Sequence, residues 1–115
     1  MGLFYFYGMR VNIKPLSVNQ AFKGKRFRTN EYRTYQKELT MKLKSMDIPE
    51  GKLMLRATFG LSSKNADWDN PIKCFQDIVS AKYGFNDRRI YKGIIEKVIV
   101  PKGSEFIEFT ISPLV

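Results

Sequence analysis

The chain has no histidine, a single cysteine (Cys74) and no apolar run long enough to cross a bilayer. Each absence removes a body of chemistry. Without histidine there is no Ser–His or Cys–His relay and no histidine-ligated haem, and one cysteine cannot build a zinc site. A lone cysteine forms no intramolecular disulfide, so nothing points to an oxidising compartment. Any metal must therefore be a hard cation on oxygen ligands: magnesium, manganese or calcium. The apolar start "MGLFYFYGMR" is too short for a signal core or a membrane span. Phe6 stands where a myristoylation motif needs serine or threonine. These features lead to the expectation of a soluble intracellular protein with no membrane partner.

Acidic residues are also scarce, 11 against 20 lysines and arginines, giving a net charge of +9 and a pI near 9.8. Such a surplus favours a polyanionic partner, nucleic acid or anionic lipid. At 115 residues, with 43% hydrophobic and 14% aromatic content, the chain has the composition of one globular domain covering 1–115. No linker, repeat or low-complexity tract interrupts it.

Patterning predicts the order β-α-β-α-β-β. Residues 3–14 are aromatic and β-branched, a strand, and "KPLSVNQAFKGKRFRTN" reads as a loop. A helix starts at Glu31 with Asn30 as its cap and Tyr32, Tyr35, Leu39 and Leu43 or Met46 as its apolar stripe. Residues 52–61 form a second strand. A second helix spans Pro71 to Tyr83, capped by Asn70 and stopped by Gly84, with Ile72, Phe75, Ile78, Val79 and Tyr83 on its buried face. Strands near 90–100 and 104–112, joined by "PKGS", read as a hairpin. The expected fold class is α/β (α+β), a mixed sheet packed with two helices.

Against the basic background, four of the five aspartates fall between Asp67 and Asp87. In "NADWDNPIKCFQD", Asp67 and Asp69 precede the second helix; an extended chain there turns both carboxylates to one side. Lys73 lies in the first helical turn, where the helix dipole disfavours a cation unless carboxylates compensate. Asp77 follows one turn later on the same face, and Asp87, beyond Gly84, can fold back toward the pair. Aspartates gathered in this way suit metal-assisted phosphodiester hydrolysis: two or three of them hold one or two magnesium or manganese ions, and Lys73 stabilises transition-state charge or orients the water. No nucleophilic side chain is needed. Asn70, Asp77 and Asn86 are supporting candidates. Equally open on spacing alone is a structural reading, with Asp69 a helix cap, Asp77 a surface partner of Lys73 and Asp87 a turn residue.

"DWDNPIKCFQD" followed by "GFNDRRI" resembles the D-x-D-N-x-x-K-x-x-x-D … D-D motif of the RusA family of Holliday junction resolvases. "KPLSVNQAF" is similar to that family's P-x-S-x-N-x-x-aromatic signature, so the resemblance covers nearly the whole chain. It implies a dimeric, magnesium-dependent endonuclease, often phage-borne, working in the cytoplasm of a bacterium or phage-infected cell. It further implies that Asp67, Asp69 and Asp87 are the essential carboxylates and Lys73 the catalytic lysine. Where the family commonly has two adjacent aspartates this chain has Asn86 and Asp87, and Asp87 aligns with the second.

The DNA-facing candidates are Lys23, Lys25, Arg26 and Arg28, interleaved with Phe22 and Phe27, plus Arg88 and Arg89 beside Asp87. Such contacts position a phosphate backbone without reading sequence. A four-way junction needs two symmetric cuts, which a two-fold homodimer supplies. The aromatic N-terminal strand and "ISPLV" are candidate interface segments. The leading expectation is a junction-resolving endodeoxyribonuclease serving recombination and repair. The alternative is a non-catalytic basic nucleic-acid-binding module with a structural aspartate cluster; a basic regulatory protein ranks third because it leaves the acids unexplained.

Overall fold

The computed structural model describes residues 8–23 and 27–115, without the side chains of Lys23 and Phe27. The elements are β1 (Gly8–Val11), α1 (Val18–Ala21), β2 (Phe22–Lys23), β3 (Phe27–Arg28), α2 (Asn30–Lys42), β4 (Leu53–Leu61), α3 (Ile72–Tyr83), a 3-10 turn (Asp87–Arg89), β5 (Ile90–Ile99) and β6 (Phe106–Pro113). Four strands make a mixed sheet in the order β1-β6-β4-β5. β5 runs parallel to β4, while β6 is antiparallel to both β4 and β1. The α+β class expected from patterning is what the chain adopts.

Period-two alternation explains the layering. On β4, Leu53, Leu55, Ala57 and Phe59 are buried, while Arg56 between them is exposed. β6 repeats the pattern with Ile107, Phe109 and Ile111. The helices close that face. Tyr32, Tyr35 and Leu39 of α2 and Cys74, Phe75, Ile78 and Val79 of α3 complete the core. At its centre the Phe75 ring meets Phe59 and Phe109 edge-on, at centroid distances of 5.5 and 5.0 Å, a geometry the aromatic quadrupoles favour.

Four local expectations need correcting. Strands 90–99 and 106–113 both exist, but they flank β4 instead of pairing with each other. The connection between them passes over the end of β4, where the Val100 amide donates to the Leu61 carbonyl at 2.8 Å. A sheet gains more by placing its most apolar strand in the middle, with both edges paired, than by keeping neighbours in sequence adjacent. Second, the expected loop after β1 contains the one-turn α1, closed by a capping box in which Ser17 and Gln20 satisfy each other's end of the turn, followed by the β2–β3 ribbon. The S-x-x-Q spacing was the signal for it.

Third, the α2 cap is Thr29, not Asn30. Its hydroxyl accepts from the Tyr32 amide at 3.1 Å and donates to the Gln20 carbonyl at 2.6 Å, so one side chain serves both α2 and α1. Fourth, Asn70 does not cap α3. Pro71 occupies that position and the helix start carries no side-chain cap bond. Gly84 ends α3 as expected, at φ 70°, the left-handed region where glycine is free of steric cost. The expected start of the first strand, residues 3–7, lies outside the described residues.

Candidate functional site

The segment carrying Asp67 and Asp69 is not extended. The Asn70 amide donates to the Asp67 carbonyl at 3.3 Å and the Ile72 amide to the Asp69 carbonyl at 3.2 Å, two successive turns leading into α3. The i, i+2 argument for a shared face therefore does not apply, because it holds only for a pleated strand. The Asn70 side-chain amide is turned toward the Asp67 carboxylate, 3.5 Å away. Asp69 is exposed, and so is Trp68 between the two acids, at 56% of its maximum.

Two contacts from distant parts of the chain hold this turn. The Val18 amide donates to the Asn70 carbonyl at 3.0 Å. From β5, the Lys97 ammonium donates to the Ala66 carbonyl at 2.8 Å. Pro15, Ser17 and Gln20 line, with Asp67 and Asn70, a cavity of about 240 Å³. Thus "PLSVNQ" and "DWDN", about fifty residues apart in sequence, lie against one another. Across the same cavity stands Glu105, whose own amide, the Ser62 hydroxyl and the Gly103 amide hold its carboxyl below the usual range. Neither Lys97 nor Glu105 was singled out from sequence; a strand lysine and a turn glutamate carry no motif.

The second half of the constellation lies on α3. Lys73 and Asp77 form an i, i+4 ion pair at 2.9 Å, as their spacing required. Beyond Gly84 the chain doubles back, and the Asp87 carboxylate accepts from the Gln76 side chain at 3.1 Å. That hydrogen bond ties Asp87 to α3, not to the Asp67–Asp69 pair toward which it was expected to fold. Asp77, chiefly through its hydrogen bond, and more weakly Asp87 raise the Lys73 pKa above the ordinary lysine value. Asn86 uses its side chain locally, accepting from the Arg88 amide at 3.0 Å to open the 3-10 turn.

The oxygen donors present, carboxylates and carboxamides with no histidine, match a hard divalent cation in type. Their placement does not match a preformed cage. Among the described residues no three Asp, Glu, Cys or His side chains are grouped so as to hold a metal ion. The convergence of Asp67, Asp69 and Asp87 expected from sequence is thus not realised as a three-carboxylate cluster. Asp67 faces Asn70 and Asp87 is bonded to Gln76.

The remaining reactive side chains are disarmed. Cys74 is buried under α3 and burial pushes its thiol up to about 11. Burial likewise raises the Tyr32 phenol, against the opposing pull of Arg28. Neither is a nucleophile near neutral pH.

Of the expected DNA contacts, Lys25, Arg26 and the Lys23 side chain lie outside the described residues. The Arg28 guanidinium sits 4.7 Å above the Tyr32 ring centre, and Arg88 is exposed. Arg89 differs from expectation: it donates to the carbonyls of Pro49 and Gly51, pinning the turn before β4. A planar fork suits that clamp. No helix among the described residues is long and apolar enough to cross a membrane. Set against known proteins, the chain matches no protein-family model and no curated protein.

Proposed function

We propose that this protein is a divalent-metal-dependent endodeoxyribonuclease that hydrolyses phosphodiesters in branched DNA, four-way junctions above all, in the manner of the RusA family it resembles. One observation carries the reading: the two segments bearing the resemblance meet in space, "PLSVNQ" seated on the "DWDN" turn through Val18 and Asn70. Local structure alone gives no reason for that meeting, whereas a shared site does.

The chain's own chemistry supports hydrolysis by water. Cys74 and Tyr32 hold their protons, and Lys73, kept cationic by Asp77, is no general base. An ammonium beside a scissile phosphate stabilises the charge that builds in the transition state. Exposed Trp68 offers a ring face for stacking on an unpaired base, and the exposed Arg28 and Arg88 would supply cations to phosphates. When bound, magnesium would supply an activated water and neutralise phosphate charge; Asp67, Asp69 and Asp87 are the residues to hold it. Lacking a preformed cage, the site would recruit the cation together with DNA.

The same lack of a preformed carboxylate group favours a second reading, a basic module that binds DNA and does not cut it. A labelled synthetic junction separates the two. Wild type should cleave with magnesium or manganese and not with chelator, while Asp69→Asn should bind and leave the junction whole. Tight binding by wild type with no cleavage under any divalent ion overturns the nuclease. Trp68 is the only tryptophan, so quenching of its emission by manganese in the presence of uncut junction reports the ion independently of turnover.

A further inference from the structure

β5 is an outer strand of the sheet, and among the described residues nothing pairs with its free edge. It is ten residues long, contains no proline, and runs in regular register against β4 from Lys92 to Ile99; the only irregularity is at Leu53/Met54, opposite Tyr91. An open edge of that length is a template for another strand unless something blunts it. Tyr91, Ile94 and Ile99 are exposed along it.

The order of side chains on this strand is self-complementary. Lys92, Ile94 and Glu96 face the side of the sheet opposite the helices, beside Met54, Arg56 and Thr58 of β4. Lys92 and Glu96 are both exposed, and neither has an ion-pair partner among the described residues. They stand two residues either side of Ile94. Turned about a two-fold axis through Ile94, an antiparallel copy sets Lys92 of each chain opposite Glu96 of the other, with the two Ile94 side chains meeting on the axis. Moving the axis by one residue in either direction, a register shift of two, sets Lys92 against Val98 or Ile94. Two copies of a chain with net charge +9 repel, so a self-interface belongs where charge is locally matched.

We infer that β5 is the homodimer interface: two copies pair antiparallel through Lys92–Glu96 into one eight-stranded sheet centred on Ile94. The two-fold contact is isologous. The inference makes no use of the aspartates and stands or falls apart from the nuclease reading. It also moves the interface away from the two candidate segments read from sequence, the N-terminal strand (residues 3–14) and "ISPLV".

Light scattering on a sizing column tests it. Wild type should run at twice the 13.4 kDa of the chain. Lys92→Glu and Glu96→Lys each put like charges opposite one another twice per dimer and should weaken self-association about tenfold or more. The double variant Lys92→Glu/Glu96→Lys should dimerise again. So should an equimolar mixture of the two single variants, since a Lys92→Glu chain matches a Glu96→Lys chain at both pairs. Rescue by mixing also proves that both single variants are folded. Should either fail to fold, Ile94→Lys, which crowds two ammonium groups on the axis, should yield a folded monomer. A monomeric wild type overturns the assignment, as does a dimer indifferent to both single reversals or to Ile94→Lys.

Discussion

The two halves of the acidic constellation are built in opposite ways. On α3 and the 3-10 turn after it, Lys73 pairs with Asp77 and Gln76 with Asp87, all within fifteen residues of chain. The turn bearing Asp67 and Asp69 is held from outside, by an amide from α1 and an ammonium from β5, and leaves Trp68 and Asp69 exposed. Groups that neutralise each other resist change; groups fixed through their backbone keep their side chains free for a ligand. On the proposed reading, Lys73 and Asp77 supply electrostatics, while the turn, together with Asp87, supplies oxygens for a ligand.

The largest effect should come from the turn. Asp69→Asn is expected to lower junction cleavage about a thousandfold with affinity little changed, as for loss of a group acting mainly in the transition state. Single-turnover gels beside equilibrium binding measure both, and an equal loss in each would erase the contrast between halves.

On the helix, Lys73→Ala should lower cleavage about a hundredfold. Its exposed ion pair with Asp77 gives little stability, so the thermal midpoint should move by no more than about 0.5 kcal/mol equivalent. A collapsed transition would instead make Lys73 a structural counter-ion.

Lys97→Met sharpens the comparison, because this lysine supports the turn without belonging to the site. A drop of about tenfold in cleavage is expected, with the salt dependence of DNA binding unchanged. A flattened salt slope would show Lys97 to be a phosphate contact.

The smallest effect concerns the floor beneath both halves. Burial raises the Cys74 pKa to about 11, above the unfolded value near 8.5. The native state thus holds its proton when the unfolded state has lost it. Stability is unaffected below about pH 8.5 and declines as pH rises toward 11. Tyr35, which burial also keeps protonated, acts in the same direction at higher pH. Thermal melts across alkaline pH should show this decline, and a thiol reagent should label Cys74 only on unfolding.

How much of this was legible in the sequence follows from the range of each interaction. Helices, strands and the Gly84 stop depend on neighbours a few residues apart, and they were readable. The Lys73–Asp77 pair is likewise one helical turn. The conformation around Asp67 and Asp69 was misread because it is fixed by Val18 and Lys97, far away in sequence. Arg89, taken for a DNA contact, proved to be a clamp on carbonyls near residue 50; a charge alone does not reveal what it binds. The supposed hairpin failed for the same reason, since pairing with β4 is a long-range decision.

That pairing has a consequence for how the molecule is made. β6, which follows β1, β4 and β5 in the chain, takes an interior slot between β1 and β4. Until it arrives, the first strand has no neighbour and β4 lacks half its ladder. The sheet therefore cannot close before β6 has been made, and a β1–β6 contact so distant in sequence makes that closure slow. Deleting β6 should leave no folded remnant, because it removes an interior strand of the sheet.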